Sequence, residues 1–142
     1  MLTDFAAYPD WNPVEIRMAG QPVAGTVLEH TTKLPGRKPM SFRPTIVEAA
    51  PGRVLAWEAR LAVPGLFGVH HRFEIEAQPG QRARLRQEER FRGVLVPFCG
   101  RALRQTQAAF EIANQAIKRR VESGPAALAG RQAAGPAAPG QR

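Results

Sequence analysis

The chain has 142 residues, a net charge of +8, 44% hydrophobic residues and one cysteine. That is the length of one ordinary domain, with enough apolar material for a core. The lone Cys99 excludes an internal disulfide, which fits a reducing compartment. No run of about 18 apolar residues exists to span a membrane. The opening MLTDFAAYPDWNP has no basic segment followed by an apolar one, so it does not read as a secretory signal, and the expected location is cytoplasmic.

The positive charge is spread along the chain. Residues 1–50 carry five Lys/Arg and five Asp/Glu, residues 51–94 eight and five, and residues 95–122 five and two. Most of the basic residues are arginines beside acidic partners. Arg82, Arg84, Arg86, Arg90 and Arg92 have no aromatic residue interleaved on their face. A solvated charge ladder is therefore expected, and nucleic-acid binding is not.

In chain order, Met1–Ala7 reads as the end of a helix, followed by Tyr8-Pro9-Asp10-Trp11-Asn12-Pro13. Val14–Met18 alternates as a strand. Thr26–Leu34, Pro39–Ala49, Val54–Val63, Val69–Ala77 and Ala83–Val94 follow, most of them separated by Pro/Gly turns. Six strands at roughly ten-residue spacing predict an antiparallel meander.

The last hairpin has a readable register. Setting Arg72 opposite Glu88, Glu74 opposite Arg86 and Glu76 opposite Arg84 puts three opposite charges on one face. The other face then holds Ile75 opposite Leu85, Phe73 opposite Gln87 and His71 opposite Glu89. From Pro97 the period changes. Cys99, Leu103, Thr106, Phe110, Ala113, Ile117 and Val121 form one stripe of a helix about 25 residues long. That stripe needs cover, and the inner sheet face is the large apolar surface that can give it. The fold class is α+β. The segment from 123 to 142, almost all Ala, Gly, Pro and Gln, is expected to be a disordered tail.

Several short motifs run in order through residues 1–122. They are Leu2-Thr3-Asp4-Phe5, Tyr8-Pro9, Trp11-Asn12-Pro13, Gly25, Phe42-Arg43-Pro44, Leu55-Ala56-Trp57, Pro64-Gly65-Leu66-Phe67, His71-Arg72-Phe73, Glu89-Arg90-Phe91-Arg92-Gly93, and Asn114 with Lys118-Arg119-Arg120-Val121-Glu122. Together they resemble the bacterial polyketide cyclase/START-like (SRPBCC) superfamily. The resemblance implies a helix-grip fold, in which a bent antiparallel sheet holds a long C-terminal helix around a cavity for a hydrophobic small molecule. It also implies a first strand ahead of the short helices; this sequence starts inside that helical region, which fits a natural truncation, a misplaced start or a fragment. Absence of that strand would leave residues 14–20 and 83–94 as bare sheet edges.

The expected ligand-binding residues are Trp57, His71, Phe73, Gln87, Glu89, Phe91, Leu103, Phe110 and Ala113. His71 and Glu89 are also the candidates for general acid/base work, since a carboxylate beside an imidazole orients it and raises its pKa. Trp11 and Asn12 are expected to pack the entrance helices, with gating as the alternative. His30 is expected to be exposed, and Cys99 is read as a small core residue. No CxxC, HExxH or glycine-rich phosphate loop occurs, so neither metal nor cofactor is expected. The leading expectation is a carrier or sensor of a small hydrophobic ligand. The alternatives are a cyclase or dehydratase using His71 and Glu89, and an interaction module or homodimer formed through the open strand edges.

Overall fold

A computed structural model of the chain describes residues 1–80 and 82–124. From residue 125 onward, the segment expected to be a disordered tail lies outside the described residues.

The N-terminal helical segment lies later than Met1–Ala7. A 3-10 turn at Phe5–Ala7 runs into a short helix, α1 (Tyr8–Trp11). Pro9 sits in the first turn of α1, where a missing N–H costs nothing. Leu2, Phe5 and Tyr8 are buried, and the Tyr8 hydroxyl donates to the Leu2 carbonyl at 2.8 Å.

Seven strands follow: β1 (Glu15–Ala19), β2 (Glu29–Thr32), β3 (Met40–Phe42), β4 (Thr45–Ala50), β5 (Val54–Arg60), β6 (Gly68–Gln78) and β7 (Arg82–Arg92). They form a three-stranded sheet, β1-β2-β3, and a four-stranded sheet, β4-β5-β6-β7, each antiparallel. The single strand expected at 39–49 is divided between the two. Pro44 is the reason, because it has no N–H to give to the ladder. The pairing itself does not stop there. His30 faces Phe42, the Leu28 N–H donates to the Pro44 carbonyl, Val27 faces Thr45, and the Ile46 N–H donates to the Thr26 carbonyl. One unbroken register thus joins the two sheets into a bent surface. Among the described residues, β1 and β7 each have a strand neighbour on one side only.

The last hairpin has the expected register, with Arg72 opposite Glu88, Glu74 opposite Arg86 and Glu76 opposite Arg84. The ion pairs are less simple than the register. Of the three facing pairs only Arg84–Glu76 comes within reach, at 3.9 Å. Arg72 instead bonds Glu48, two strands away on β4, and approaches Glu74 at 3.7 Å. It can do so because the residue between them on β5 is Ala56, which faces both Arg72 and Glu48 and is fully buried. A methyl group leaves room for the guanidinium to cross over it.

A 3-10 turn, Val96–Cys99, leads into α2 (Gly100–Glu122). The helix stripe is as expected along its middle, but the helix meets the sheet chiefly through small residues: Ala109, Ala113 and Ala116 are buried with Ile117. Val121, expected on the stripe, is 62% exposed. No helix among the described residues is long and apolar enough to cross a membrane.

The core occupies one end of this grip. Leu2, Phe5, Tyr8, Met18, Leu28, Ile46, Leu55, Trp57, Phe73 and Ile117 pack into one cluster. At the other end, the first half of α2 stands off the sheet and a cavity remains.

Candidate functional site

The cavity is about 400 Å³, and its walls come from every layer of the fold. Trp57 on β5 and Val69 on β6 line the sheet side, with Phe67 just ahead of β6 and Phe91 on β7. Leu103, Phe110 and Ala113 line it from α2, and Phe42 closes it from β3. The alternation of β5 explains Trp57: Leu55, Trp57 and Ala59 share the inner face, opposite Phe73, His71 and Val69.

Eight of the nine residues expected to bind ligand lie on this cavity: Trp57, His71, Gln87, Glu89, Phe91, Leu103, Phe110 and Ala113. Phe73 does not. It is buried in the core below, 5.6 Å from the Trp57 ring, and faces a separate cavity of about 680 Å³ between the hairpin and the end of α2. The polar residues of that second cavity, Thr3, Arg53, Asn114, Lys118 and Glu122, are all exposed. The first cavity differs in having polar groups at its buried base.

His71 is at the centre of that base. Its ring stacks on Trp57 and meets Phe110 edge-on at 5.2 Å. The Gln87 amide lies 3.0 Å from His71 Nε2, and Glu89 Oε1 lies 3.5 Å from His71 Nδ1. With the amide N–H donating, Nε2 is the acceptor and the imidazole proton sits on Nδ1, toward the carboxylate.

Two further residues form the base, Glu15 and His30. The plain alternation of Val14–Met18 predicts an outward Glu15. The β1–β2 register shifts between Glu15 and Arg17, so a bulge at Ile16 turns both Glu15 and Met18 inward. Asn12 holds Glu15 in place. Its carbonyl oxygen accepts from the Val14 and Glu15 N–H groups, both at 3.0 Å, and its amide donates to Glu15 Oε2 at 3.2 Å. Asn12 is thus a fixed turn residue, and Trp11 packs on Tyr8 with ring centroids 4.8 Å apart. Neither residue lines the cavity.

His30, expected to be exposed, is 3% exposed and faces inward between Phe42 and Trp57. Thr31 and Ser41 pair on the opposite side of the sheet, which fixes the facing. The strand had no clear alternation from which to read this.

These buried groups are held near neutrality. Burial pushes the Glu15 carboxyl up to about 7, with the Glu89 carboxylate adding to the effect and His71 and the Asn12 hydrogen bond opposing it. Burial pushes the His30 imidazole down to about 3, with His71 acting in the same direction. Glu15 and His30 stand 3.9 Å apart; near neutral pH His30 is uncharged and Glu15 carries its proton only part of the time, so theirs is not an ion pair. Both His30 nitrogens, Gln87 Oε1 and Glu89 Oε2 are buried without a hydrogen-bond partner among the described residues. No group of three or more His, Cys, Asp or Glu there is arranged to hold a metal ion. Cys99 lies at the cavity wall, half-buried, with its thiol on the Leu95 carbonyl at 3.3 Å.

A search of curated proteins and a search of solved structures each returned no match. A family model described as polyketide cyclase / dehydrase and lipid transport matches residues 1–122, which takes in every strand and the whole of α2. By that match and by its bent sheet gripping a long helix, the chain belongs to the polyketide cyclase / dehydrase and lipid transport family.

Proposed function

We propose that the protein binds a small, mostly apolar molecule in the 400 Å³ cavity, with the polar end of that molecule against His71, Gln87 and Glu89. One observation carries this reading. An aromatic and aliphatic chamber ends in buried polar atoms that have no partner among the described residues. Such atoms are costly to bury alone, and a ligand group that bonds them recovers the cost. Trp57, Phe91, Leu103, Phe110 and Ala113 supply the apolar contact.

The test uses N-phenyl-1-naphthylamine, a neutral probe that fluoresces in apolar surroundings. The wild type is expected to saturate with one probe per chain. Leu103→Trp, which fills the chamber, is expected to abolish the signal while leaving the melting temperature within a few degrees. Equal probe binding by both proteins would place the binding elsewhere.

A second reading, acid/base chemistry on the bound molecule, is favoured by Glu15. A carboxyl with a pKa of about 7, close to both His71 and Glu89, can give or take a proton at neutral pH. A probe-competent protein that turns over no cyclisation or dehydration substrate would leave only the binding role. Recruitment of a partner strand by β1 or β7 rests on their single-sided pairing alone.

A further inference from the structure

The unpartnered atoms at the base of the cavity are not balanced between donors and acceptors. The Gln87 amide N–H is used on His71, which leaves Gln87 Oε1 as an acceptor. Glu89 Oε1 lies 3.5 Å from His71 Nδ1, which leaves Glu89 Oε2 as an acceptor. Neutral His30 has one N–H and one lone pair. Acceptors therefore outnumber donors among these atoms, and no lysine or arginine among the described residues offsets the Glu89 carboxylate from within. Among the described residues Arg60 is the one lysine or arginine along the lining, and its side chain is 74% exposed and paired with Glu58.

We propose that the cavity selects apolar molecules whose polar end donates hydrogen bonds, such as an alcohol, a phenol or a protonated amine, and rejects those that end in a carboxylate. This rests on the binding role proposed above and narrows it. A hydroxyl or ammonium satisfies Gln87 Oε1 and Glu89 Oε2 directly. A ligand carboxylate would set a second negative charge against Glu89 in a low-dielectric site, with few donors to receive it. Glu15 points the same way: burial first, and the Glu89 carboxylate beside it, raise its carboxyl to about 7, so the base of the chamber disfavours a further anion.

The experiment measures displacement of N-phenyl-1-naphthylamine at pH 7.5 by 1-decanol, decylamine and decanoate, which share one chain and differ at the head. Decanol and decylamine are each expected to displace the probe at a concentration at least about tenfold below that of decanoate. Glu89→Gln removes the charge and adds an amide donor. It is expected to weaken decylamine most, change decanol least, and bring decanoate closer to decanol. Probe binding with equal displacement by decanol and decanoate, including none by either, overturns the head-group inference and leaves the binding role intact. Failure of the probe and of all three compounds to bind overturns the binding role, and this inference with it. The amine and the alcohol separate a preference for positive charge from a preference for any donor: a larger loss for decylamine than for decanol in Glu89→Gln assigns the charge part to Glu89, and equal losses overturn that assignment.

Discussion

The imidazole of His71 lies nearly flat on the indole of Trp57, with 4.5 Å between ring centroids and 18° between planes. The pair faces across β5 and β6 in register, so the backbone ladder sets the stacking. Phe73 and Phe110 border the same imidazole at 4.7 and 5.2 Å. With its plane fixed in this way, the ring can turn its two nitrogens only to Gln87 and Glu89.

Trp57 should accordingly matter to both stability and site. It is 1% exposed and touches His30, His71 and Phe73. Trp57→Ala is expected to cost about 3–5 kcal/mol in urea melts. Trp57→Phe should recover most of that loss while still reducing probe affinity, because the smaller ring covers less of the imidazole. A loss under about 1 kcal/mol for the alanine variant would mean that the indole is not a core element.

Glu15 and His30 set a pH dependence of opposite sign. In the folded chain Glu15 keeps its proton to about pH 7, against 4.5 for an ordinary carboxyl. The native state then binds the extra proton in that window, so stability falls as pH rises through it. His30 resists protonation down to about 3, against an ordinary 6.5, so stability falls as pH drops through that window. Between 4.5 and 6.5 the two slopes oppose each other. Relative to wild type, Glu15→Gln should make the melting temperature rise more with pH over this range, and His30→Phe should make it fall more. Three parallel curves would show that neither group titrates as described.

Gly93 is held where two loops meet. Its φ is 120°, and a Cβ there would run into the Leu66 carbonyl, 2.6 Å from its carbon, and lie 2.8 Å from Phe67 N. The neighbouring Val94 and Leu95 N–H groups bond the Gly65 and Leu66 carbonyls. Gly93→Ala is expected to lose more than about 1 kcal/mol. Gly36→Ala, with φ of 69° and open space around its Cβ position, should lose less. Equal losses in chemical denaturation would show that the close approach is not the cause.

The Arg72–Glu48 pair is exposed, whereas Ala56 beneath it is fully buried. Glu48→Gln should therefore cost no more than about 1 kcal/mol. Ala56→Leu should cost about 1–3 kcal/mol, because the added carbons have no space under the guanidinium. Calorimetric melts of the two variants check the order, and a costlier Glu48→Gln would reverse the assignment.

Much of this was legible from residue order. Alternating charges in the last hairpin admitted one good register, and that register placed His71 opposite Glu89. The helix stripe showed which residues of α2 meet the chamber. What could not be read came from local departures in the backbone. A one-residue bulge at Ile16 brought Glu15 inside, and a proline inside a continuous ladder divided one strand into two. His30 lay among Glu29, Thr31 and Thr32, where no apolar alternation marks the inner face. Arg72 reached past its facing residue because a small neighbour allowed it, and this depends on three strands at once.

The wall that α2 gives the chamber includes Ala102, Ala109 and Ala113. A longer side chain at any of them keeps the helix, since Leu and Met are about as compatible with helix as Ala, and its volume is taken up by the chamber and, at Ala109 and Ala113, by the packing on Val14. Exchange at these three places would therefore change the length or girth of molecule admitted while leaving the hairpin and its polar base unaltered. Ligand size and ligand head group are set by separate parts of the chain, and the two traits can drift independently among proteins built on this plan.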